Sequence, residues 1–165
     1  MTAGWLPDDF VHPLHVPLTD DVHLRPIRAS DVDIDMVTVH ANQPMLWAVY
    51  GEAWGWPPAT MTRDQDEEDL ARHAAEMETH ESFNYAVLDA DETRLLGCVY
   101  IDPGDDDDAD AEVSWWLDGG ADPDLRRRLD EFVPRWLASE WPFRRVAYPF
   151  NELGAPPRTG GDGPG

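Results

Sequence analysis

Two apolar runs, Leu95–Ile101 and Ala111–Leu117, separated by the acidic stretch Asp102–Asp110, restrict the fold more than anything else in this chain. Each run is built from Leu, Val, Ile, Tyr, Cys and Trp between turn formers, the composition of a β-strand. The connector is too polar to bury, so the runs are expected to pair antiparallel across a solvated loop. Neither run alternates apolar with polar side chains. Near-continuous hydrophobicity marks strands covered on both faces, so the rest of the chain has to supply helices to two sides of a sheet.

The flanking sequence supplies them. Val22–Ile27 alternates as a half-buried strand, with Pro26 placing it at an edge or near its own end. Ser30 has the chemistry of an N-cap, and Ile34, Val37 and Ala41 then fall on one face of a helix reaching Asn42. A short helix is expected at Met45–Tyr50, followed by an irregular Gly/Pro loop. There Trp47, Tyr50, Trp54 and Trp56 either line a pocket or anchor the loop on the core. Thr62 to Gln65 is a capping box. It opens a helix to Thr79 with Leu70, Ala74 and Met77 inward and Asp66, Glu67, Glu68, Glu76 and Glu78 on a solvated face. Phe83–Asp89 is a strand. Leu125, Leu129, Phe132, Val133, Trp136 and Leu137 form the clearest amphipathic stripe, which Pro134 is expected to kink or break near Asp130–Glu131. Phe143–Tyr148 is the last strand.

The resulting order, β-α-α-β-β-β-α-β, predicts an α+β or α/β mixed sheet flanked by helices. Its 165 residues suit one domain, at 22–150, preceded by an extended N-terminal arm at 1–21 and followed by a disordered Gly/Pro-rich tail at 151–165.

Charge narrows the partners. The chain carries 34 Asp+Glu against 12 Lys+Arg, a net −22, and every one of those bases is arginine. Such a body repels phosphate backbones and anionic lipid, which argues against nucleic acid and membrane and favours cationic partners. No basic segment followed by an apolar stretch opens the sequence, so a cytoplasmic location is expected. Cys98, the only cysteine, lies in an apolar run and reads as a buried, unreactive thiol. His12 and His15 match no metal spacing, and Asp105–Asp108 lacks the alternating ligands and glycine of a calcium loop, so no metal is expected.

Three segments carry a family resemblance. His23-Leu24-Arg25-Pro26-Ile27-Arg28 with Ser30-Asp31, then Leu96-Gly97-Cys98-Val99-Tyr100, then Ala111-Glu112-Val113-Ser114-Trp115-Trp116-Leu117, resemble in order and spacing the first, third and fourth strands of the GNAT superfamily of acetyl-CoA-dependent N-acetyltransferases. The resemblance implies an acyl donor, acetyl-CoA, in a wedge where the fourth and fifth strands splay. Pantetheine would pair with the backbone of Ser114, Trp115, Trp116 and Leu117, and Asn151 would join the cofactor-binding residues. The pyrophosphate would sit on amides of the loop at Gly119–Arg128, where a helix N-terminus favours anions. Glu112 stands where some members carry the general base that deprotonates the amine of a small molecule or a protein.

Two departures accompany it. The family's phosphate loop usually carries glycines, whereas Leu125-Arg126-Arg127-Arg128-Leu129-Asp130-Glu131 has none. Arg126, Arg127 and Arg128 either grip phosphates or form a solvent-facing charge network. The family's later elements, with the tyrosine that protonates the departing thiolate, have no counterpart after Asn151-Glu152. Such a chain completes itself by homodimerising, or is a non-catalytic module that binds a ligand or protein partner.

Overall fold

A computed structural model describes residues 5–104 and 109–151. Six strands, β1 (Val16–Pro17), β2 (Val22–Pro26), β3 (Phe83–Asp89), β4 (Leu95–Pro103), β5 (Ala111–Leu117) and β6 (Val146–Ala147), form one sheet in chain order. Each neighbouring pair is antiparallel except β5 and β6, which run parallel. Four helices, α1 (Val32–Ala41), α2 (Gln43–Trp54), α3 (Arg63–Glu78) and α4 (Pro123–Glu140), complete an α+β fold. The tail from residue 152 and the Asp105–Asp108 loop lie outside the described residues.

Register sorts the central side chains onto two faces. Tyr85, Val99 and Trp115 stand opposite one another on β3, β4 and β5. They face α4, whose Trp136 packs edge-on against Tyr85 at 5.1 Å and whose Asp130 accepts from Trp115 Nε1 at 2.8 Å. The alternate rungs, Asn84–Tyr100–Ser114 and Ala86–Cys98–Trp116, face α1–α3. Tyr50 of α2 donates to Ser114 Oγ at 3.3 Å, and Thr38 of α1 donates to the Leu95 carbonyl at 2.5 Å. Both faces are therefore covered, as continuous hydrophobicity requires.

An ion cluster locks one side of the sheet to the start of α1. The buried Arg25 guanidinium forks onto Asp31 at 2.8 and 2.9 Å and reaches Glu92, in the β3–β4 turn, at 3.1 Å. Glu92 also meets His23 Nε2 at 2.6 Å, and these partners hold its carboxyl down at about 2. The N-terminal segment lies on the same framework. Leu6, Val16 and Leu18 are buried, Trp5 Nε1 donates to the His80 carbonyl at 2.7 Å, and Tyr85 donates to the Pro13 carbonyl at 2.7 Å. His12 packs on Phe83 and His80, while His15 lies against His23, so the two imidazoles join different clusters.

Several expectations are corrected. Ser30 is not an N-cap; it sits inside a 3-10 turn, Ala29–Asp31, because the Asp31 carboxylate folds back to accept from the Arg28 N–H at 2.9 Å. Of Ile34, Val37 and Ala41 only Ile34 packs, half-buried, against the core, so the three do not form the inward face of α1. Val37 is 71% exposed, and Val32, Asp35, Thr38 and Val39 are buried instead. The short helix at Met45–Tyr50 extends over the whole of α2, with Pro44 in its first turn and Gly55 at a left-handed φ of 62° ending it. Pro134 does not break α4, which runs continuously because Leu129, Val133, Trp136 and Leu137 pin both halves to the sheet. The final strand is only Val146–Ala147 rather than Phe143–Tyr148.

Gly97 shows how closely β4 and β5 approach. A Cβ there would lie 2.0 Å from the Trp116 carbonyl oxygen and 3.0 Å from Leu117 Cα, both backbone atoms that cannot swing aside. Gly97→Ala is expected to destabilise by at least the ~1–3 kcal/mol typical of overpacking, read as a lower urea midpoint. A midpoint equal to that of the unmodified chain would show that the strands have room to part.

Candidate active site

A cavity of about 540 Å³ opens between α1, α3 and the β3–β4 face. Its floor is Cys98, Tyr100 and Asp102 on β4 with Asn84 on β3, and Trp54 and Trp56 form an aromatic wall. The helices contribute Asp35 from α1 and Asp66 from α3. This volume and mixture of apolar walls with a few polar groups suit a small ligand.

Both helix carboxyls are buried, Asp35 at 4% exposure and Asp66 at 2%. Burial, with the neighbouring Asp66 and Asp31, pushes Asp35 well above the usual carboxylate range; burial likewise raises Asp66. Asp66 was expected on a solvated face. It lies on the Leu70–Met77 stripe instead, four residues before Leu70. Asp102 accepts from Ser82 Oγ at 2.5 Å and is also raised, chiefly by burial. Burial pushes the Cys98 thiol up, which leaves it inert as a nucleophile.

The second feature is the parting of β5 from β6. Among the described residues β6 pairs only with Ala111 and Glu112. Farther along, Asn151 reaches β5 with its side chain: its Oδ1 accepts from the Trp115 N–H at 3.1 Å and its Nδ2 donates to the Trp115 carbonyl at 3.1 Å. A side-chain amide thus satisfies a rung that main chain fills between paired strands. Next to it, Phe150 packs on Tyr50 at 4.9 Å and Trp54 at 5.4 Å, so the aromatic wall of the cavity touches the segment flanking this gap.

The loop into α4 has its own arrangement. The amides of Gly119, Gly120 and Asp124 donate to the side chains of Asn42, Asp118 and Asp122 at 2.8, 3.1 and 2.8 Å, and the Ala121 N–H donates to the Asp118 carbonyl at 2.9 Å. Pro123 has no N–H to offer. Carboxylates of the chain therefore occupy the position an anion would take at this helix N-terminus.

The proposed site residues separate accordingly. Glu112 is exposed, directly across from Asp102 and hence on the cavity's face of the sheet. Ser114, Trp115, Trp116 and Leu117 are buried; Trp116 Nε1 donates to the Tyr100 hydroxyl at 2.8 Å, so these side chains are engaged in the core and the Trp115 backbone meets Asn151. Arg126, Arg127 and Arg128 are exposed; Arg126 donates to the Asp118 carbonyl at 3.1 Å and Arg127 pairs with Asp124 at 3.1 Å. Asp35, Asp66 and Asp102 were missed as site residues. The signal available was periodicity: Asp35 lies three residues after Val32, and Asp102 shares the parity of Cys98 and Tyr100.

Asp35 carries a stability signature. It keeps its proton to higher pH in the folded chain than in the unfolded one, so between those two values unfolding releases a proton and stability falls as pH rises. Asp35→Asn is expected to melt above the unmodified chain at pH 8, with the difference shrinking as pH falls through the carboxylate range. Parallel melting curves across that range would mean that Asp35 ionises normally.

The acetyltransferase (GNAT) domain model matches residues 21–122. No curated protein matches the sequence. Similar solved structures include a probable acetyltransferase (13% identity, TM-score 0.64, covering 81% of this chain and 72% of its own). Another is the microcin C7 self-immunity acetyltransferase MccE in complex with acetyl-CoA and AMP (11%, 0.59, 80% and 71%). A third is the ribosomal L7/L12 alpha-N-protein acetyltransferase RimL in apo form (14%, 0.57, 81% and 70%). At these identities the likeness is one of fold.

Proposed function

Since the chain belongs to the GNAT acetyltransferase family, we propose that it transfers an acetyl group from acetyl-CoA to an amine across β5. The acyl donor lies at the parted β5–β6 edge and the amine in the acidic cavity. The observation that carries this reading is that, among the described residues, strand pairing of β5 with β6 ends at Glu112 and Ala147, while the Asn151 side chain bonds the Trp115 backbone. That rung presents an N–H and a C=O, which suit the amide of a pantetheine arm.

The chemistry asked of the protein is modest. The amine nitrogen attacks the thioester carbonyl; the C–N bond forms, the C–S bond breaks, and the amine loses a proton. Asp102 and Glu112, opposite each other on the cavity's face, are the carboxylates placed to accept it. Asp102 lines the cavity, is raised by burial and accepts from Ser82 Oγ. The microcin immunity enzyme binds acetyl-CoA and the RimL enzyme acetylates a protein amine; a small-molecule or a protein amine would be accepted here in the same way.

A second reading has a specific observation behind it. The loop amides that would hold a pyrophosphate donate to Asn42, Asp118 and Asp122, so two carboxylates would have to move or be displaced. This favours a module that keeps the fold without the cofactor. Thermal unfolding with acetyl-CoA, against desulfo-CoA and ATP, at low and high salt, separates the two. Acetyl-CoA at a hundredfold excess over its Kd should add about 2.7 kcal/mol of stability, and Asp102→Asn and Glu112→Gln together should lower turnover about 10²–10⁴-fold, the usual contribution of a general base. No shift with acetyl-CoA at either salt would sink the transferase reading.

A further inference from the structure

Two hydrogen-bond acceptors of the residues lining the cavity have no donor to meet them. Asp66 Oδ2 and Asn84 Oδ1 are both buried and have no hydrogen-bond partner among the described residues. Their residues are 2% and 5% exposed, and both line the cavity. An unmet buried acceptor costs about 1–3 kcal/mol, and here two stand beside Asp35 and Asp102. The basic residues at the rim do not satisfy them. Arg72 is turned along α3 onto Asp69 at 2.9 Å and Glu76 at 4.0 Å, and His73 Nδ1 lies 3.5 Å from Glu76. Trp54, Trp56 and Tyr100 also line the cavity, and aromatic rings attract a desolvated cation.

We propose that this cavity binds a small organic cation carrying several N–H donors, an alkylammonium or guanidinium compound held between Asp66, Asn84 and Asp35 on one side and the Trp54–Trp56 wall on the other. As the acceptor site of an acetyl transfer it rests on the function proposed above; as a cation site it does not. The cavity volume fits a molecule of that class, and the acceptor wall selects for charge and donor number together. A neutral diol of equal length brings fewer donors to these acceptors and no charge. The net charge of −22 raises the local concentration of cations without choosing among them. Choice belongs to the buried acceptors.

The test is calorimetric titration of the full chain without acyl-CoA, in 0.3 M NaCl so that diffuse surface attraction is screened. The probes are agmatine, cadaverine and spermidine, with 1,5-pentanediol as neutral counterpart and Mg²⁺ as a compact cation. At least one amine should bind at one per chain and the diol should not. Asp66→Asn should weaken that binding tenfold or more, whereas Glu68→Gln and Glu78→Gln, on the exposed face of α3, should leave it unchanged. Fluorescence of the tryptophan wall in the unmodified chain, responding to the amine and not to the diol, supplies a readout that needs no variant. Binding of Mg²⁺ alone, equal binding of the diol, equal loss in the surface variants, or no amine binding at all would each overturn the proposal. Amine binding without acetyl-CoA binding would keep the site and remove its role as acceptor. Acetyl-CoA binding without any amine binding would do the reverse.

Discussion

Everything in this structure depends on β3, β4 and β5 having no face left for water. Apart from Glu112 and the strand ends, their side chains are buried on both sides, so helices must cover both, and the chain provides α4 for one and α1–α3 for the other. The close approach of β4 and β5 at Gly97 sets the spacing of that sandwich. Once both faces are covered, any polar group on a central strand is carried into the interior and must find a partner there.

The two faces resolve this differently. Against α4 the packing is aromatic and aliphatic, and the β5 indole on that face, Trp115 Nε1, donates to Asp130. Against α1–α3 the layer is polar. Asn84, Tyr100, Asp102 and Ser114 project from the sheet towards a helix α1 whose inward side carries Asp35 and Thr38. Buried carboxyls that hold a proton against their ordinary tendency lower stability at neutral pH, and nothing in the packing of the sheet demands them. A cost of this kind placed around a cavity points to a ligand that relieves it.

The sheet edge at β5 and β6 shows the same economy. Among the described residues parallel pairing lasts for Ala111 and Glu112, after which the Asn151 side chain bonds the Trp115 backbone and the Tyr148 ring packs on Trp115. The gap is spanned by a side chain, while the amides at the adjoining helix N-terminus donate to Asn42, Asp118 and Asp122. An acyl donor and the chain's own amide and carboxylate groups would compete for the same backbone. The relative strength of the two decides whether this fold works as an enzyme.

The strands were legible because apolar runs and turn residues are local signals: Phe83–Asp89 and Ala111–Leu117 stand where their composition puts them, as does the capping box at Thr62–Gln65. The family resemblance, resting on the Leu-Arg-Pro and Leu-Gly segments, reached the right fold for the same reason. The inward face of α1 was not legible, because Ile34, Val37 and Ala41 have the better apolar period while Asp35 and Thr38 are turned inward by the contacts of α1 with β4 and α3. Pro134 stayed within α4 because packing on the sheet outweighs the lost backbone bond. By itself the sequence determined which segments become strands and helices and that the central strands are buried twice over. Tertiary structure alone decided which acids go inside, since whether a carboxylate is solvated or held protonated by burial depends on what the opposite element presses against it.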